Sequence, residues 1–168
     1  MATKLERIAT LSRDDPRAEF QWLMPHFSEE NLTSCFNALD GKKAVGIDGK
    51  TKEEYGQDLE HNIQALVSRM KAMAYRPEPV RQVLIPKGNG KHRPLGISNI
   101  EDKVVQSLCG KILEAIYDPL FCDCSYGFRR YRSAHGAIRD TAKYLKFNNV
   151  KTVIDIDLEN FFGTIQHQ

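Results

Sequence analysis

Asp155 and Asp157 stand in the run Val153-Ile154-Asp155-Ile156-Asp157-Leu158-Glu159-Asn160-Phe161-Phe162. Apolar and acidic residues alternate there at period two, the pattern of a β-strand with one carboxylate-bearing face. The spacing predicts both carboxylates on the same side of that strand, about 7 Å apart along it. Carboxylates grouped in this way repel one another unless a cation or a basic partner neutralises them. Magnesium suits that role, because it prefers carboxylate oxygens together with substrate phosphates. A solvated acidic face on an edge strand is the alternative that spacing alone leaves open.

Two basic stretches upstream could hold phosphates. Gly88-Asn89-Gly90 is a tight-turn sequence between two strand-like runs, Val80 to Ile85 and Arg93 to Ile97. The resulting hairpin carries Lys87, Lys91 and Arg93 near its tip, where glycines let backbone amides approach an anion and the cations supply charge. The segment Ser125-Tyr126-Gly127-Phe128-Arg129-Arg130-Tyr131-Arg132 interleaves arginines with aromatics. Such residues could contact a nucleic-acid backbone and stack on bases, or they could anchor a loop by packing on one another.

The elements that must position these residues are mostly helical. Residues 1 to 40 read as helices, with a start at Asp15-Pro16 and a second start at Ser28, followed by Leu32, Cys35, Phe36 and Leu39. Thr51 with Glu54 forms a capping box for a helix carrying the apolar stripe Leu59, Ile63, Leu66, Val67, Met70 and Met73. Arg76-Pro77-Glu78-Pro79 breaks it ahead of the hairpin. Ser98 and Glu101 suggest a second capping box, before Val104, Val105, Leu108, Cys109, Ile112, Leu113 and Ile116, the widest apolar face in the chain. Ser133 caps a last helix, and Asn148-Asn149 turns into the expected strand Lys151 to Leu158.

Composition bounds the class. With 168 residues, 41% hydrophobic and 27% charged, the chain has room for one ordinary globular core. A net charge of +2 announces no nucleic-acid binder. From Arg69 to Lys111, however, nine Lys/Arg face only Glu78, Glu101 and Asp102, which marks a candidate phosphate-facing surface. Cys122 and Cys124 are too close for a usual zinc pair, and Cys35 and Cys109 complete no finger, so reduced thiols in a cytoplasmic protein are expected. No apolar run is long enough to span a bilayer.

The Asp157-centred segment closely resembles the first catalytic motif of reverse transcriptases, in the form found in group II introns and their bacterial relatives. Gly46-Ile47-Asp48-Gly49, Tyr75-Arg76-Pro77 with Pro79-Val80-Arg81, Ile85-Pro86-Lys87 through Arg93-Pro94-Leu95-Gly96-Ile97, and Ser125-Tyr126-Gly127-Phe128-Arg129 resemble its other motifs, in the family's order. The resemblance covers roughly Ala44 to His167. It implies an α+β fold: the fingers and partial palm of a right-hand polymerase, mostly helical, with a β-hairpin and a palm strand. Residues 1–43 would be a helical extension, 44–150 the fingers, and 151–168 the start of a truncated palm.

The same resemblance assigns roles. Asp157 would be the catalytic, metal-binding carboxylate, with the Leu158 carbonyl as a further ligand and Asp155 in support. Lys87 and Arg93 would grip the incoming triphosphate, and Phe161 would stack on its sugar and exclude a 2′-hydroxyl, with Phe162 behind it. Lys91, Arg129 and Arg132 would contact nucleic acid, Arg129 either on the template or as a brace. Where the family often carries an aspartate after the two aromatics, this chain has Gly163. The implied cofactor is Mg2+ in a two-ion site, incomplete here because the Y-x-D-D motif would lie beyond residue 168. Implied partners are an RNA template, a DNA primer and dNTP, with intron RNA as a further candidate. An unpaired apolar strand also makes a homodimer an expectation, and no membrane partner is expected. A catalytically silent RNA-binding or dimerisation module is the competing reading, and an unrelated metal-dependent hydrolase would need a ligand such as His167 near Asp157.

Overall fold

The computed structural model describes residues 2–88, 90–159 and 161–166, with side chains at all of these except 2, 3, 162 and 163. The chain divides into two compact units between Phe121 and Cys122. Among the described residues the first holds five α-helices and a hairpin, and the second holds one long α-helix among turns. The mixture of helices with a small two-stranded sheet agrees with the expected α+β class, short of the further strand expected at 151–158.

The first unit is built on α5 (Ile100–Tyr117), whose Val104, Leu108 and Ile112 are buried along one face. Each fully buried side chain of that size contributes roughly 2 kcal/mol by leaving water. Against this face pack α1 (Ala2–Asp14), through Ile8, and α2 (Glu29–Ala38), through Leu32, Cys35 and Phe36. The Ser12 hydroxyl donates to the Ile116 carbonyl, satisfying a polar group inside the core. A short α3 (Lys52–Gly56) and then α4 (Leu59–Lys71) complete the layer, with Ile63, Leu66, Val67 and Met70 buried.

Several caps are where the sequence puts them. Ser28 accepts from the Asn31 amide, and Thr51 and Glu54 exchange both bonds of a capping box. Others differ. Asp15-Pro16 follows the first helix and does not begin one: the Asp15 carboxylate accepts from the Arg17 amide at 3.0 Å and its carbonyl from Ala18 at 3.0 Å. An aspartate offering both acceptors to the next residues makes a turn as readily as a cap. The single helix expected from Thr51 onward is two, separated at residues 57–58. Met73 leaves the apolar stripe: it has φ 55° and is 75% exposed, in the left-handed conformation common just past a helix end.

The hairpin pairs β1 (Arg81–Pro86) with β2 (His92–Ile97), antiparallel, in register from Arg81↔Ile97 to Pro86↔His92. In the second unit α6 (Ala134–Phe147) starts at Ser133, whose side chain accepts from the Gly136 amide. The strand expected at Lys151 to Leu158 is not formed, and residues 151–158 carry no regular secondary structure. A strand exists only by pairing, and among the described residues the sheet has just two members, β1 and β2.

Candidate nucleotide and nucleic-acid site

Register decides what the hairpin tip presents. Arg93 lies opposite Ile85, and Lys87 lies two residues beyond Ile85 on the same face of the pleat. The pairing continues past the strand ends, since the Lys87 amide donates to the Lys91 carbonyl at 2.6 Å. Lys87, Lys91 and Arg93 therefore share one face by alternation, and all three are exposed. The Gly90 amide closes the turn onto the Lys87 carbonyl at 3.1 Å, and Gly90 takes φ 76°, a conformation that suits glycine. Like charges gathered on one face make that face attractive to an anion.

The base of the hairpin is held by contacts that span the sequence. The Arg81 guanidinium donates to the Val45 carbonyl at 3.1 Å, and Lys103 Nζ to the Ala44 carbonyl at 2.6 Å. The Ile47 amide donates to Asn99 Oδ1 at 3.0 Å. The Gly46 loop is thus tied both to β1 and to the N-terminus of α5. Glu101 does not complete a cap with Ser98. It pairs instead with Arg69 at 2.7 Å and accepts from the Tyr55 hydroxyl at 3.4 Å. Ser98 receives a bond from Gln106 instead, at 3.1 Å. Asp102 is buried, and its two oxygens accept from the Tyr75 hydroxyl and from the Glu78 amide. Desolvation, and then the neighbouring acids, push both tyrosine hydroxyls above their ordinary range. Tyr55, Glu78, Asn99, Glu101 and Asp102 border a cleft of about 410 Å³ that Ile47, Asp48 and Lys50 also line. The Asn99 and Asp102 side chains carry no local signal of this role, because the groups they accept from lie 24 to 52 positions away in sequence.

In the second unit Arg129 and Arg132 of the Ser125–Arg132 segment turn toward the loop. One nitrogen of Arg129 donates to the Cys122 carbonyl at 3.0 Å and to that of Ser125 at 3.1 Å. Arg132 donates to the Asp123 carbonyl at 3.0 Å, pairs with its carboxylate at 3.2 Å and lies over the Tyr126 ring. The Tyr126 hydroxyl in turn donates to Asp140, which holds that carboxyl below its usual range. Phe128 and Tyr131, with φ of 56° and 60°, point their rings fully into solvent. Bracing and packing, one of the two readings the composition allows, is visible at both arginines.

Asp155, Asp157 and Leu158 are exposed in the segment after α6. Phe161, about half exposed, begins a short turn in which the Thr164 hydroxyl donates to its carbonyl at 2.9 Å. Phe162's expected supporting role and the His167 alternative both lie outside the described side chains. Among the described residues no group of three His, Cys, Asp or Glu could hold a metal ion. No helix among them is long and apolar enough to cross a membrane.

Comparison with known proteins adds the family. The sequence model of the family "Reverse transcriptase (RNA-dependent DNA polymerase)" matches residues 85–168, from the end of β1 through Asp157. Protein YkfC of Escherichia coli (strain K12) is 34% identical over 170 residues, which is 96% of this chain and 44% of that protein. The group II intron-encoded protein LtrA of Lactococcus lactis subsp. cremoris is 31% identical over 165 residues, 97% of this chain and 27% of its own length. A putative COX1/OXI3 intron 1 protein of Saccharomyces cerevisiae is 29% identical across 89% of this chain and 19% of its own. The chain spans less than half the length of these curated relatives. The match takes in half of the chain and both the hairpin tip and the aspartate pair, so the chain belongs to the reverse transcriptase (RNA-dependent DNA polymerase) family and is similar within it to group II intron-encoded proteins.

Proposed function

We propose that this chain is the fingers region and first palm motif of an RNA-directed DNA polymerase of the group II intron, maturase-bearing kind. The observation that carries the reading is the single cationic face made by Lys87, Lys91 and Arg93 inside the region that the family matches. On this reading Lys87 and Arg93 hold the triphosphate of an incoming dNTP, and Phe161 packs against its sugar. Lys91, Arg129 and Arg132 face the RNA template and DNA primer, with Arg129 acting through the loop it braces. The protein works in the cytoplasm, with intron RNA as a further partner.

Asp157, supported by Asp155 and the Leu158 carbonyl, supplies the metal-binding carboxylate. These donors are all oxygen, which fits magnesium, but they are too few to hold two ions against water. When bound, the ions supply Lewis-acid activation of the primer 3′-hydroxyl and stabilise the leaving pyrophosphate. The chain's own residues bind and orient: cations at the hairpin tip fix the phosphates, and Asp157 offers the carboxylate. A second reading, a catalytically silent RNA-binding or dimerisation module, draws on Phe128 and Tyr131, whose exposed rings could stack on bases without any metal.

Primer-extension and binding assays on the 168-residue chain test this. The chain should bind an RNA–DNA duplex and bind dNTP more tightly with magnesium than without, and should extend no primer by itself. Asp157→Ala should remove the magnesium dependence and leave duplex binding intact. Triphosphate binding indifferent to magnesium in both proteins would favour the silent module.

A further inference from the structure

Cys122 and Cys124 are both free, both exposed, and their sulfurs lie 3.1 Å apart. They occupy the first and third positions of a turn that the Ser125 amide closes onto the Cys122 carbonyl at 3.0 Å. Residues two apart have Cα atoms separated by at most about 7 Å, at the edge of the range a disulfide spans. Forming the bond requires the sulfurs to approach to about 2.05 Å, roughly one further ångström, in a turn with no buried side chain to displace. The other two cysteines are placed differently, Cys35 fully buried and Cys109 half-buried on α5. The turn also supplies the Cys122 and Asp123 carbonyls that hold Arg129 and Arg132.

We propose that Cys122 and Cys124 are a thiol–disulfide modification site, which closes reversibly to an intramolecular disulfide on reaction with a low-molecular-weight disulfide such as oxidised glutathione. The Cys122 thiolate attacks one sulfur of the small disulfide, giving a mixed disulfide and releasing one small thiol. The Cys124 thiol loses its proton to solvent and its sulfur attacks Cys122 Sγ, expelling the second small thiol. Two protein thiols are oxidised to one disulfide, and the co-reactant is reduced to two thiols. The hydrogen bond from Cys124 holds the Cys122 thiol below its usual range, which suits Cys122 as the first nucleophile. This inference is independent of the polymerase reading.

The test uses the 168-residue chain in glutathione buffers from fully reduced to fully oxidised, followed by acid quench, alkylation of free thiols and mass mapping. The expected product has lost two hydrogens, carries the bond within the one peptide that contains residues 122 and 124, and returns to the dithiol with excess reductant. Cys122→Ser and Cys124→Ser, both at exposed positions, should each stop at the glutathione mixed disulfide or remain a free thiol. Cys122 and Cys124 both alkylated in the oxidised buffer would overturn the proposal. So would glutathione on both without an internal bond, or a bond that forms only after unfolding in urea.

Discussion

Gly46 approaches Asn99 so closely that a Cβ added to it would lie 2.0 Å from Asn99 Oδ1 and 2.7 Å from Asn99 Cα. The obstruction is partly backbone, so no rotamer change relieves it. The same Oδ1 accepts from the Ile47 amide, which makes the contact both a close approach and a hydrogen bond.

Gly46→Ala should therefore force the loop off α5 and destabilise the first unit by about 1–3 kcal/mol, the usual cost of overpacking a fitted site. Urea denaturation of the two proteins measures it. A change under a few tenths of a kcal/mol would show that the loop is not held against Asn99.

Asp102 is the buried acid on which the Tyr75 hydroxyl and the Glu78 amide converge. Asp102→Ala leaves both donors without their acceptor, at a cost of roughly 2–3 kcal/mol. Asp102→Asn keeps an acceptor and the volume and should recover part of that loss. Equal destabilisation by the two substitutions would mean that the negative charge matters more than the hydrogen bonds.

Tyr55 and Tyr75 are both raised above the ordinary tyrosine value of 10.0, by burial first and then by Glu101 and Asp102. A group whose folded value is raised stabilises fully below its unfolded value, and that stability is lost as pH climbs toward the folded one. The chain should thus hold constant stability through neutral pH as far as these groups are concerned, and lose it from about pH 10 upward. Tyr75→Phe should flatten that alkaline limb in a series of pH-dependent melts. An unchanged limb in Tyr55→Phe and Tyr75→Phe together would remove the tyrosines as its cause.

Lys87→Ala and Arg93→Ala each delete a cation from the shared face of the hairpin tip. Each should weaken dNTP binding roughly tenfold, and each cation removed from a phosphate should lower the salt dependence of binding by about one unit of slope. Both residues are exposed, so thermal stability should stay within about 0.5 kcal/mol of the parent. Titration calorimetry at two salt concentrations checks the binding statements, and thermal melts check the last. Full triphosphate affinity in the double variant would take the hairpin out of the site.

What the amino-acid sequence determined alone were features closed within about one helical turn. The Ser28, Thr51–Glu54 and Ser133 caps form as their spacing requires, because each hydrogen bond joins residues three apart. The hairpin is equally legible: its turn glycine and its register depend on neighbours in the chain, and that register alone aligns Lys87, Lys91 and Arg93. Most of the apolar stripes of α4 and α5 also carry over as core, Met73 and Leu113 being exposed, since periodicity identifies the face that leaves water. Tertiary structure decided what competing partners do to such local signals. Glu101 abandons its cap for Arg69 and Tyr55, and Asn99 and Asp102 gain partners from 24 to 52 positions away. The alternation around Asp155 and Asp157 names a strand but cannot supply its neighbour, because a ladder's hydrogen bonds belong to two segments at once.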